Sequence, residues 1–137
     1  MKKKAEVVII GGGVAGCSVA YHLAKRGCKD VVLLERSELT SGSTWHAAGN
    51  THVLQDNANL SKLHYYTITL YPELEEETGQ SCGIHAVGGI YLSTTPERHD
   101  QITIQSSKAK YLGLEFQRIS LKEVKELNPL ILSLIHI

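Results

Sequence analysis

The chain has 137 residues, and its 14 Lys and Arg balance 14 Asp and Glu to a formal net charge of zero. That length suits one domain with a real core, and 42% hydrophobic against 20% charged residues excludes a disordered, collagen-like or coiled-coil chain. Charge balance leaves no basic field for nucleic acid or an anionic membrane surface, and no apolar run approaches the ~20 residues that cross a bilayer.

Glu6–Ile10 is a continuous β-branched run ending at three glycines, which predicts a buried parallel strand. Its early start leaves no room for a cleaved signal or transit peptide and predicts a cytoplasmic protein. A helix follows from Val14 to about Arg26, with Ala15, Val19, Ala20, Leu23 and Ala24 as its apolar face and Gly27 as its stop. Val31–Leu34 is a second buried strand, so residues 6–35 form one βαβ unit. A second helix is predicted from about Leu60 to Thr78, kinked or divided at Pro72. Ile84–Val87 and Ile90–Thr94 flank Gly88-Gly89 and predict a β-hairpin. Thr95-Pro96 opens a third helix that Gly113 closes, and Ser120 to Glu123 is a capping box for a short fourth one, ended by Asn128-Pro129.

Gly11-Gly12-Gly13-Val14-Ala15-Gly16 fits GxGxxG in its proper context, after a strand and opening a helix. Gly11 permits the tight turn, Gly13 lets a pyrophosphate approach the backbone, and Gly16 lets the helix press on the strand. Glu35 ends the second strand where a carboxylate accepts from ribose hydroxyls, which disfavours a 2′-phosphate, although the neighbouring Arg36 works the other way. The loop alone leaves NAD and FAD both open.

Residues 40–49, Thr-Ser-Gly-Ser-Thr-Trp-His-Ala-Ala-Gly, interrupt the apolar rhythm. Ser43 and Thr44 offer hydroxyls near a helix start, and His46 offers an imidazole just beyond the ribose acid. On residues alone this reads either as a helix cap beside a packed His or as a nucleophilic segment. His22, His64 and His99 are predicted on helix surfaces, His52 and His85 are assigned no role, and seven histidines without an HxxxH pair predict no metal site. Cys17, Cys28 and Cys82 lack a CxxC spacing and support neither a disulfide framework nor zinc.

The 40–49 run resembles the flavin-linking segment of the dimethylglycine and sarcosine dehydrogenase family, within the D-amino-acid-oxidase-like flavoproteins. The likeness continues through residues 71–79, Tyr-Pro-Glu-Leu-Glu-Glu-Glu-Thr-Gly, and Gly88-Gly89 to Asn128-Pro129. It implies an α/β fold: a Rossmann-type FAD-binding βαβ unit with additional helices and a hairpin, the incomplete N-terminal part of a two-domain flavoprotein. It also implies FAD attached covalently through His46. Gly11, Gly13, Val14, Ala15 and Gly16 would contact the dinucleotide, Glu35 and Arg36 would flank the ribose, and Gly42, Ser43, Thr44, Ala47, Ala48 and Gly49 would wrap the cofactor. The implied reaction is hydride transfer from an N-methylated glycine derivative to the flavin, with a small amine as substrate and tetrahydrofolate bound in later chain. A regulatory member of the fold lacks the linking His, so His46 favours an enzyme. An NAD-dependent dehydrogenase would have no use for Trp45-His46.

Residues 1–131 are expected to be the N-terminal part of such a domain, inactive alone. Residues 132–137, Leu-Ser-Leu-Ile-His-Ile, can be encoded by CTGTCTCTTATACACATC, a transposon-end adapter sequence, and are expected to be a non-native tail.

Overall fold

A computed structural model describes residues 4–131, so the predicted tail lies outside the described residues. The chain divides into two compact units, Met1–Asn50 and Thr51–Ile137.

In the first unit β1 (Val7–Ile10) leads through α1 (Val14–Lys25) to β2 (Val31–Leu34). The two strands pair in parallel with Val7 opposite Val31 and Ile10 opposite Leu34. α1 ends at Gly27, whose φ of +87° is open to glycine at no steric cost. There the Gly27 N–H donates to the Ala24 carbonyl at 2.9 Å and the Cys28 N–H to the Leu23 carbonyl at 3.0 Å. That reciprocal pair is a Schellman stop, which turns the chain sharply back toward β2.

The predicted burial of this unit is only partly seen. Ala20 and Leu23 of α1 are half-buried, while Ala15, Val19 and Ala24 are exposed. On the strands, Val8 and Leu34 are about half exposed and Ile10 is 87% exposed. Parallel strands are ordinarily covered on both faces. A two-stranded sheet and one helix supply too little surface to do so.

In the second unit α2 (Ala58–Thr78), α3 (Pro96–Tyr111) and α4 (Leu121–Leu127) follow in order. Asn57 caps α2 by accepting from the Asn59 and Leu60 amides, so the helix starts at Ala58, two residues before the predicted Leu60, and Gly79 at φ +67° ends it. The helix continues through Pro72 as one element. Thr95 caps α3 through the Arg98 N–H with Pro96 at the first helical position, and both halves of the Ser120–Glu123 capping box form. Leu70, Ala109 and Val124 are its buried apolar side chains among the described residues.

The predicted hairpin is corrected. Residues 84–94 carry no strand, and the sheet among the described residues contains β1 and β2 alone. Gly88 does take a positive φ of +77°. An isolated two-stranded ribbon is marginal without a third strand or a packed face to hold it. Two histidines assigned to helix surfaces are also tied in. His64 Nδ1 donates to the His52 carbonyl at 2.8 Å, and Arg118 donates to His99 Nε2 at 2.8 Å. Among the described residues no helix is long and apolar enough to cross a membrane.

Candidate functional site: a dinucleotide cradle

The site is built in the first unit, at the carboxyl end of β1. The Gly11 N–H donates to the Leu34 carbonyl at 2.8 Å, which carries the strand pairing one step past Ile10, and a φ of +106° then turns the chain out of the sheet. Gly16 faces that turn so closely that a Cβ on it would fall 1.9 Å from the Gly11 carbonyl oxygen. A Cβ on Gly13 would stand 3.1 Å from Thr44 Oγ1.

Gly12, a free position in the sequence motif, proves as constrained. It is buried, and a Cβ there would lie 2.5 Å from Leu39 Cδ2 and 3.0 Å from Glu35 Cβ. The run of three glycines was the available signal, but the motif's spacing hides it.

Glu35 sits at the end of β2, as expected, and is held by the backbone. Its Oε2 accepts the Gly12 N–H at 2.6 Å and its Oε1 accepts the Ser37 N–H at 3.0 Å. The Gly12 N–H above all, then the Ser37 N–H, holds the carboxyl below its ordinary value of 4.5, and the exposed Arg36 guanidinium adds to this. A depressed carboxyl stabilises the fold above its unfolded value and loses that contribution as pH falls through the lowered one. Wild type should therefore lose urea resistance below about pH 4.5 more steeply than Glu35→Gln, whose amide does not titrate. Superimposable midpoint-against-pH curves would show that the Glu35 bonds contribute nothing.

Residues 37–46 fold back over the glycine loop. The Thr40 N–H donates to the Gly12 carbonyl at 2.9 Å, and the Thr40 carbonyl accepts the Trp45 N–H at 3.0 Å. Thr44 then presents Oγ1 to the Val14 N–H at 2.9 Å. The cap residue of α1 is Gly13, which has no side chain to give, so Thr44 caps the helix from across the loop. The Ala15 and Gly16 amides belong to the same first turn, which lacks partners within the helix and carries the positive end of its dipole. An anionic pyrophosphate fits there.

His46 lies one turn further along. Its Nδ1 is 2.9 Å from the Gly42 carbonyl oxygen, and both His46 and its neighbour Trp45 are exposed. A carbonyl only accepts, so Nδ1 donates this bond and Nε2 takes no part in it. Thr44 supplies the helix cap, and His46 beside it is exposed. Ala47, Ala48 and Gly49 continue exposed beyond the turns, with Gly49 at φ +76°. Gly11, Gly12, Gly13, Val14, Gly16, Glu35 and Thr44 are thus brought together, while Ala48 and Gly49 make no contact of this kind with them.

A strand, a glycine loop opening a helix and an acid at the next strand end define a dinucleotide-binding protein. The comparisons narrow that class. The profile of the family described as FAD dependent oxidoreductase matches residues 6–136. Dimethylglycine dehydrogenase, mitochondrial, of Rattus norvegicus is 54% identical over 130 residues, 95% of this chain. Sarcosine dehydrogenase, mitochondrial, of Homo sapiens is 42% identical over 127 residues, 92% of this chain. L-Proline dehydrogenase from P. horikoshii superposes with a TM-score of 0.83 at 26% identity, covering 94% of this chain and 34% of that one. The chain spans 15% of the length of the rat relative and 14% of the human one. The protein belongs to the FAD dependent oxidoreductase family.

Proposed function

We propose that the complete protein oxidises a small N-methylated amine of the dimethylglycine or sarcosine type, using FAD attached through His46. The observation that carries this reading is His46 itself: an exposed imidazole whose Nδ1–H is spent on the Gly42 carbonyl and whose Nε2 is free to form a bond. Its place suits the role. It follows Glu35 by 11 residues, on the segment that folds back over the glycine loop.

The bond would join Nε2 to the flavin 8α-carbon, with two electrons and two protons leaving to an external oxidant such as dioxygen. When bound, the flavin supplies the hydride acceptor for the amine's N-methyl carbon. The chain supplies binding and orientation. Glu35 would accept from the ribose and the open first-turn amides of α1 would hold the pyrophosphate, while Thr44 keeps the loop and the following segment in register. The iminium product would be hydrolysed or passed to tetrahydrofolate in later chain.

The exposed strand faces of the first unit support the proposal that these 137 residues alone are inactive. The regulatory reading has a relative of its own, the pyruvate dehydrogenase phosphatase regulatory subunit of Mus musculus, 41% identical over 128 residues. His46 favours the enzyme over it. The relatives' mitochondrial names give no support to the cytoplasmic expectation, and a mitochondrial location is the better proposal.

The test is the visible spectrum of the purified complete protein under anaerobic conditions. Dimethylglycine or sarcosine should bleach its flavin absorption within turnover time. A colourless protein, or a flavin that neither amine reduces, would refute the assignment.

A further inference from the structure

Thr40 opens the 40–49 run, yet its residue type alone gives it no role in the site. Among the described residues it is the one side-chain-bearing residue with positive φ, at +65°. That region is disfavoured for L-residues, and most of all for a β-branched one. Such a conformation persists only where the surroundings fix it. Here both of its backbone polar groups are committed, the N–H to the Gly12 carbonyl and the carbonyl to the Trp45 N–H.

We propose that Thr40 is a positioning residue for flavin attachment, its left-handed backbone being the corner that folds residues 41–46 back onto the glycine loop. The inference rests on the reading of this site as a flavin cradle. Chain leaving Ser37 is already anchored through Glu35, and the turn at Thr40 reverses it. One face of the reversed segment delivers the Thr44 hydroxyl to the Val14 N–H, 2.9 Å away. The next turn closes the Gly42–His46 bond, in which Nε2 takes no part. Thr40 touches neither cofactor nor substrate in this account. Its hydroxyl is dispensable and its backbone conformation is not.

Three substitutions in the complete protein separate these roles. Thr40→Gly and Thr40→Asn both accept a left-handed backbone, so they should keep the attachment rate and raise Tm by about 2 °C as strain is relieved. Thr40→Pro fixes φ near −65° and removes the N–H. It should slow covalent attachment about 100-fold, the usual cost of displacing a reacting group by an ångström, and by clearly more than it weakens non-covalent FAD binding. Attachment is followed as acid-stable flavin formed with time after FAD is added to apoprotein.

Wild-type attachment by Thr40→Pro, or a lowered Tm or lost attachment in the Gly and Asn variants, would overturn the proposal. Should the Pro variant fail to fold, the sign of the Tm shift together with retained attachment in Gly and Asn decides the matter. A wild type that never acquires acid-stable flavin refutes the flavin-linkage reading instead, and is distinct from any failure confined to Thr40.

Discussion

Gly16→Ala in the complete protein should abolish FAD binding and destabilise the loop by about 1–3 kcal/mol, the usual cost of forcing extra volume into a packed site. The new Cβ would arrive 1.9 Å from the Gly11 carbonyl oxygen, which is backbone and cannot swing aside as a side chain would. Either α1 moves off the strand end or the turn at Gly11 opens. Both movements separate the first-turn amides of α1 from the ribose acid, and the dinucleotide loses its two anchors together. Gly13→Val works differently, since its nearest neighbour is the Thr44 hydroxyl at 3.1 Å, which can rotate. It should block the pyrophosphate while costing the fold less. Flavin content after gel filtration, read beside Tm, distinguishes the two. A Gly16→Ala protein that keeps stoichiometric FAD would show that the loop does not approach the helix as described.

His46→Ala should leave the cradle folded and the cofactor bound, but no longer tethered. The substitution removes the Nδ1–Gly42 bond from an exposed side chain and touches none of Gly11, Gly16, Glu35 or Thr44. Non-covalent FAD affinity should therefore fall by less than about tenfold, equivalent to 1.4 kcal/mol. Acid precipitation separates binding from linkage: wild-type pellets stay yellow and fluorescent, whereas His46→Ala releases its flavin to the supernatant. Release from wild type as well would remove His46 from the role of tether.

Much of the first unit was legible because its signals are local. Val31–Leu34 is a strand at the predicted limits, and α1 starts at Val14 as the glycine loop requires. Gly27 and the Ser120–Glu123 box stop and start helices through contacts within a few residues of themselves. The 84–94 segment was misread for the opposite reason. Alternating apolar residues around Gly-Gly describe what a ribbon would look like, whereas its formation depends on partners far off in sequence. α2 begins early because Asn57 is a better cap than the apolar periodicity suggests.

At the site, residue types were legible and their mutual bonds were not. Glu35 was read as a ribose acid, but its hold on Gly12 spans 23 positions and leaves no periodic trace. The link from Val14 to Thr44 spans 30. Thr40 escaped notice because a β-branched residue gives no hint of a left-handed backbone.

The central claim, that this segment carries flavin on His46, is tested most directly by peptide mapping of the complete protein. Trypsin cuts after Arg36 and Lys62 with no site between, so one peptide, Ser37–Lys62, contains both His46 and His52. The account predicts that this peptide is yellow, fluorescent and heavier by one flavin, and that its fragment ions place the added mass on His46. An unmodified Ser37–Lys62 peptide from flavin-loaded protein, or the added mass on His52, would contradict it.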